Sequence, residues 1–94
     1  MGLDVAVRDN PAEGRFEAVV DGQRAVATYD VEGDRITFTH TIVPEALEGR
    51  GVGSALVKTA LASARERGLK VVPLCSFVDA YIKRHPELKD LLAN

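Results

Sequence analysis

The chain has no tryptophan, a single cysteine (Cys75) and a single methionine, and aromatic residues make up only 5% of its 94 residues. One cysteine cannot close an internal disulfide, so disulfide-stapled secreted scaffolds are excluded and a reducing, cytoplasmic setting is expected. So few aromatics leave little with which to stack bases. Basic residues do not make up the difference. Twelve Lys and Arg stand against 14 Asp and Glu, for a formal charge of −2, and none of them form a run suited to a row of phosphates. Nucleic acid is therefore not an expected partner. Nor is a membrane, because no stretch approaches the roughly 20 apolar residues that a spanning helix needs. The opening MGLDVAVRDN lacks the basic start and apolar core of a secretory leader, and Ala6 stands where an N-myristoylation signal has Ser or Thr. His, Cys, Asp and Glu nowhere fall at metal-ligand spacing, so no metal is expected.

What remains is enough for one domain, residues 1–94, with one core. The first half alternates with period two. RFEAVV (15–20), RAVATYDV (24–31) and RITFTHTIV (35–43) read as strands, joined by turns at Asp21-Gly22 and at residues 32–34. In the last of them Ile36, Phe38, His40 and Ile42 are expected on one face and the threonines on the other. LDVAVRD (3–9) adds an edge strand. Residues 51–67 are helical by composition, with Val52, Ala55, Leu56, Ala60 and Ala64 along one stripe and Gly68 as the stop. KVVPLC (70–75) reads as a buried strand, parallel to an earlier one because a helix precedes it. SFVDAYIKR (76–84) reads as a helix opened by Ser76 and Asp79 at capping-box spacing, and PELKDLL restarts helically from Pro86. The fold class is α+β: a mostly antiparallel sheet with helices.

The junction between the meander and the first helix is EGRGVGSALV, with Gly49, Gly51 and Gly53 alternating with other residues. Glycine costs backbone entropy wherever it sits, so three this close need a reason. A glycine-rich turn before a helix start presents several N–H groups together, where the helix adds about half a positive charge, and this is an anion site. Neither the Walker pattern nor the dinucleotide pattern fits: no Lys-Ser/Thr follows the glycines, and Leu56 stands where a third glycine would. From spacing alone, a packing turn remains the other reading.

The stretch Glu48-Gly49-Arg50-Gly51-Val52-Gly53 resembles the acetyl-CoA pyrophosphate loop of the Gcn5-related N-acetyltransferases, Gln/Arg-x-x-Gly-x-Gly/Ala. With His40-Thr41 before it and Pro73-Leu74-Cys75-Ser76-Phe77 and His85-Pro86 after it, the chain is similar, from about Phe16 to Leu92, to the small YjdJ-type subfamily. The match departs at Glu48, where the family has Gln or Arg; Arg50, inside the loop, is the candidate for the missing charge. The chain also shows none of the extra helices and strands with which larger members build an acceptor pocket.

The resemblance implies acetyl-CoA as the cofactor, in a V between strands 35–43 and 70–75. Backbone groups of Ile42 and Val43 would pair with its pantetheine arm, and Gly49, Arg50, Gly51, Val52, Gly53 and Ser54 would take its pyrophosphate. Lys58, Lys83, Arg84 and Lys89 are candidates for the outer phosphate, and the sequence does not choose among them. Cys75, beside a helix start that lowers a thiol pKa, is either core filler or a nucleophile for an acetyl-cysteine step. His40 is either a core residue or the general base for the amine or for Cys75. Tyr81 either packs against the cofactor or donates to the leaving thiolate, and His85 is read as a cap for the last helix. The expected activity is acetyl transfer to an amine, from a small molecule or a protein, by a monomer or weak homodimer. Two rivals keep less: an acyl-CoA-binding or sensing module without catalysis, and an interaction protein whose glycines serve packing alone.

Overall fold

The computed structural model describes residues 5–93. The first four residues, on which part of the leader, acylation and edge-strand readings falls, lie outside the described residues. Five strands form one sheet in the order β1 (Val7–Asn10), β2 (Arg15–Val20), β3 (Gln23–Glu32), β4 (Arg35–Ile42) and β5 (Lys70–Pro73). The first four are antiparallel and β5 runs parallel to β4, which requires a crossover. That crossover is α1 (Val52–Glu66), and α2 (Ser76–Arg84) follows β5. The mixed, mostly antiparallel α+β sheet is the one the periodicity predicts.

Helix α1 buries Val52, Leu56, Val57, Ala60, Leu61 and Ala64 against β2 and β3, whose Ala18, Ala25 and Ala27 are almost wholly enclosed. Small side chains on the sheet let the helix lie close, as an alternating strand with one apolar face allows. The buried stripe is wider than the one read from composition, taking in Val57 and Leu61 while Ala55 stays half-buried. After Leu91 the chain turns back along β5, where Ala93 N–H donates to Val71 O at 2.9 Å. PELKDL is a 3-10 turn over Pro86–Leu91 rather than an α-helix, and a second such turn, Glu45–Leu47, precedes the glycine loop.

Two local expectations fail for physical reasons. Helix α2 is not opened by a Ser76–Asp79 capping box: Cys75 is the N-cap, Ser76 already lies inside the helix, and Asp79 pairs with Lys83 at 3.0 Å. The face reading of β4 fails at a β-bulge. Tyr29 pairs with Phe38 but Thr28 pairs with His40, so Thr39 is an extra residue and the alternation slips by one. Ile36 and Phe38 are buried under the helices, whereas His40 and Ile42 are exposed on the opposite face, opposite Thr28 and Val26.

That opposite face carries one enclosed charge. Glu17 is only 5% exposed and accepts from Arg15 at 2.6 Å, Asn10 at 3.1 Å and Arg8 at 3.4 Å. The Arg15 hydrogen bond, then that of Asn10, lowers its carboxyl from an ordinary 4.5 to about 2. A depressed folded-state pKa adds stability that is present above the unfolded value and lost as pH falls through the folded one. Denaturant titrations are therefore expected to show the stability gap between wild type and Glu17→Gln at its widest near neutral pH. The gap closes between about pH 4.5 and about pH 2; a gap independent of pH would contradict the assignment.

Candidate functional site

The site begins where β4 and β5 part. Their pairing ends at Phe38↔Pro73, while β4 runs on to Ile42. Proline has no N–H for the ladder, Leu74 N–H turns back to Val72 O at 3.2 Å, and Cys75 N–H closes the last link, to Phe38 O at 3.0 Å. Beyond that bond the end of β4, the glycine loop and the start of both helices enclose a cleft of about 720 Å³. Thr41, Ile42, Val43, Gly49, Gly51 and Ser54 line it, with Phe77 and Arg84 of α2 on the far side.

The three glycines have different reasons. Gly49 and Gly51 both sit at φ +78, the left-handed region that side chains disfavour, and an added Cβ at either would meet nothing within 4 Å. Gly51 is the N-cap of α1, and Ala55 N–H is the first to close an intrahelical bond, to Gly51 O at 3.0 Å. The N–H groups of Val52, Gly53 and Ser54 therefore precede the helical ladder, and these residues line the cleft. Gly53 has an ordinary backbone and a different duty: a Cβ there would stand 2.8 Å from the Phe77 ring and 3.3 Å from Val43. A left-handed backbone and close packing are thus served by different glycines.

Arg50 departs from expectation. Its N–H donates to Leu47 O at 3.3 Å and its guanidinium to Asp21 Oδ2 at 2.8 Å, in the β2–β3 turn, and it does not line the cleft. Glu48 does line it, leaving Arg84 as the one basic side chain in that lining.

Cys75 stands just behind the cleft. It is 8% exposed, and its Sγ lies 3.2 Å from the hydroxyl of Thr41. Burial pushes the thiol up, yet the hydrogen bond with Thr41 and the N–H groups of Val78 and Phe77 at the start of α2 outweigh it. The net effect lowers the pKa. His40 is not brought to the sulfur, since the bulge turns it to the other face while Thr41 faces Cys75. A His40–Cys75 base–nucleophile pair is thus not assembled.

Tyr81 lies outside the cleft too. It lines a second groove of about 610 Å³ with Lys58, Leu61 and His85. The His85 ring stacks on Tyr81 at 4.1 Å, and its Nδ1 lies 2.8 Å from Tyr81 O. His85 is the N-cap of the turn that follows, its carbonyl accepting from Leu88 N–H at 2.8 Å, but its side chain makes no cap bond there and lies against the carbonyl end of α2 instead. Among the described residues there is no group of three or more His, Cys, Asp or Glu placed to hold a metal. No helix among them is long and apolar enough to cross a membrane.

A mixed sheet whose parallel strands part beside a glycine-rich helix start is the frame of this cleft. Residues 15–91 match the family described as GCN5-related N-acetyl-transferase, and the chain belongs to that family. It is similar to Protein NATD1 of Homo sapiens, 34% identical over 88 residues, covering 90% of this chain and 78% of that protein. It is likewise similar to Protein NATD1 of Xenopus tropicalis, 36% identical over 85 residues, covering 87% of this chain and 78% of that one. Among solved structures, it is similar to the NMR structure of a GCN5-like candidate N-acetyltransferase from Staphylococcus aureus. The TM-score is 0.72 at 29% identity, over 95% of this chain and 88% of that chain.

The Thr41 contact generates a test. Removing the hydroxyl in Thr41→Val takes away a group that favours the thiolate, so the Cys75 pKa is expected to rise. Alkylation rate against pH reads it directly: the midpoint moves to higher pH in the variant, and an unmoved midpoint would show the contact to be packing only.

Proposed function

We propose that this protein is an acetyl-CoA-dependent N-acetyltransferase of the small YjdJ type, with the cofactor held in the cleft between β4 and the glycine loop. The observation that carries the reading is the cleft itself. It combines a strand end without a β5 partner, an unladdered helix N-terminus and two left-handed glycines open to the cleft side. These residues fit the cofactor. Backbone groups of Ile42 and Val43 would receive the pantetheine arm as an added strand would be received, and the N–H groups of Gly51 to Ser54 would face the pyrophosphate. The apolar side chains of Val43, Leu47 and Phe77 provide a wall for the arm.

Bound acetyl-CoA supplies the acetyl group as an activated thioester. Cys75 is the candidate nucleophile, because the α2 N-terminus and Thr41 favour its thiolate. His40, turned to the exposed face of β4, stands across the strand from the cleft, so a general-base role toward a small or protein-borne acceptor would need a connection around the strand end. Tyr81 is left with a packing role between the helices.

One observation favours a second reading. Cys75 is nearly buried behind Thr41, and His40 lies on the other side of the strand, so the two candidate groups are not joined in a relay. An acyl-CoA-binding module without transfer fits that separation.

Calorimetric titration with acetyl-CoA, beside intact-protein mass measurement of wild type and Cys75→Ala, separates the readings. Micromolar-range binding with one acetyl adduct that the variant loses is expected; binding with no adduct and no transfer to any amine would favour the module. Absence of binding to any CoA species would remove the proposal.

A further inference from the structure

The glycine loop as it stands is short of positive charge. Its first position holds a carboxylate, Glu48, which is exposed and lines the cleft. Its internal guanidinium, Arg50, is engaged by Asp21 at 2.8 Å and points away. What the loop offers an anion is therefore the end of α1, about half a charge, with a full negative charge beside it. A doubly charged pyrophosphate is poorly matched by that alone.

The other cations near the helices are sorted by the structure. Lys83 pairs with Asp79 at 3.0 Å, and Lys58 lines the second groove. Lys89 lines neither opening. Arg84 alone remains: it is exposed, it lies in the last turn of α2, it lines the cleft with Gly51 and Ser54, and it has no ion pair among the described residues. Its position is fixed by the packing already described, because the close approach of Gly53 to Phe77 sets α2 against the start of α1.

We infer that Arg84 is the pyrophosphate-recognising side chain of this protein, supplying from α2 the cation that Glu48 and Arg50 leave missing from the loop. The inference rests on the acetyl-CoA reading above. A guanidinium suits the task, since its planar fork donates two parallel hydrogen bonds to phosphate oxygens while the α1 N–H groups take others. Recognition is thus shared between two helices, so the affinity for a pyrophosphate depends on how α2 is seated as well as on the loop.

The test is a calorimetric titration of wild type, Arg84→Ala and the double variant Glu48→Arg/Arg84→Ala with three probes: CoA, dephospho-CoA and pantetheine. Arg84 is exposed, so the folded state is expected to survive its loss. Arg84→Ala should weaken CoA and dephospho-CoA alike, by about tenfold or more, and leave pantetheine unchanged. Wild-type affinity for CoA should also fall more steeply with salt than that of the variant. Restoring a cation at the loop's first position in the double variant should recover affinity, which a merely structural role for Arg84 would not produce. Undiminished binding by Arg84→Ala would overturn the inference, as would a loss confined to CoA, which would put Arg84 on the 3′-phosphate. Wild type that binds none of the probes would sink the acetyl-CoA reading and this inference together. Wild-type binding with an indifferent Arg84→Ala sinks only the role of Arg84.

Discussion

The hydrogen bond from Cys75 N–H to Phe38 O, at 3.0 Å, is the hinge of this molecule. Up to it, β4 and β5 are ordinary parallel neighbours; after it, among the described residues, their backbone pairing does not continue and the side-chain contact of Cys75 with Thr41 spans the gap. Pro73 cannot donate, the chain bends back on Val72, and the next residue begins a helix. One bond therefore ends a strand, starts α2, places the sulfur opposite Thr41 and opens the cleft. A continuous β5 would have filled the space with its own backbone. The cleft is built on an interruption, and the interruption is written in Pro73 and, two residues on, the N-cap Cys75.

The sheet and helices were legible in the sequence because their signals are local. Alternation marks β2 and β3, Asp21-Gly22 marks their turn, and Gly68 marks the end of α1. The face of His40 was not legible. Ile36, Phe38, His40 and Ile42 alternate without a break, and only the pairing with β3 shows that Thr39 is an extra residue. A bulge is a relation between two strands, so a pattern within one strand cannot carry it. The nearest signal is the run of threonines: Thr28 and Thr39 share a hydroxyl hydrogen bond at 2.7 Å beside the slip. The loss of the expected capping box has a related cause. Ser76 and Asp79 have the right spacing, but the hydrogen bond of Cys75 to Phe38 fixes the helix start one residue earlier than the box needs.

The glycine loop was legible as a site and not as a division of labour. Spacing shows three glycines before a helix. It cannot show that two are needed for a left-handed backbone and the third for the closeness of another helix. The Phe77–Gly53 approach joins residues 24 apart in sequence, and through it the N-terminal end of α1 is tied to the helix that carries Cys75 at its start and Arg84 at its end. Arg50 was misplaced for the same reason, since the carboxylate that engages it lies in a distant turn.

The separation of His40 from Cys75 also constrains how protons could move. A thiol usually depends on a neighbouring base, and here the neighbouring groups are a hydroxyl and backbone N–H groups, which stabilise a thiolate but cannot remove its proton permanently. Those groups hold the thiol below its ordinary pKa against the opposing effect of burial, and none of them is a base. The imidazole lies on the opposite face of the strand, outside the surroundings of that thiol. The bulge at Thr39 is what assigns His40 and Thr41 to their separate sides.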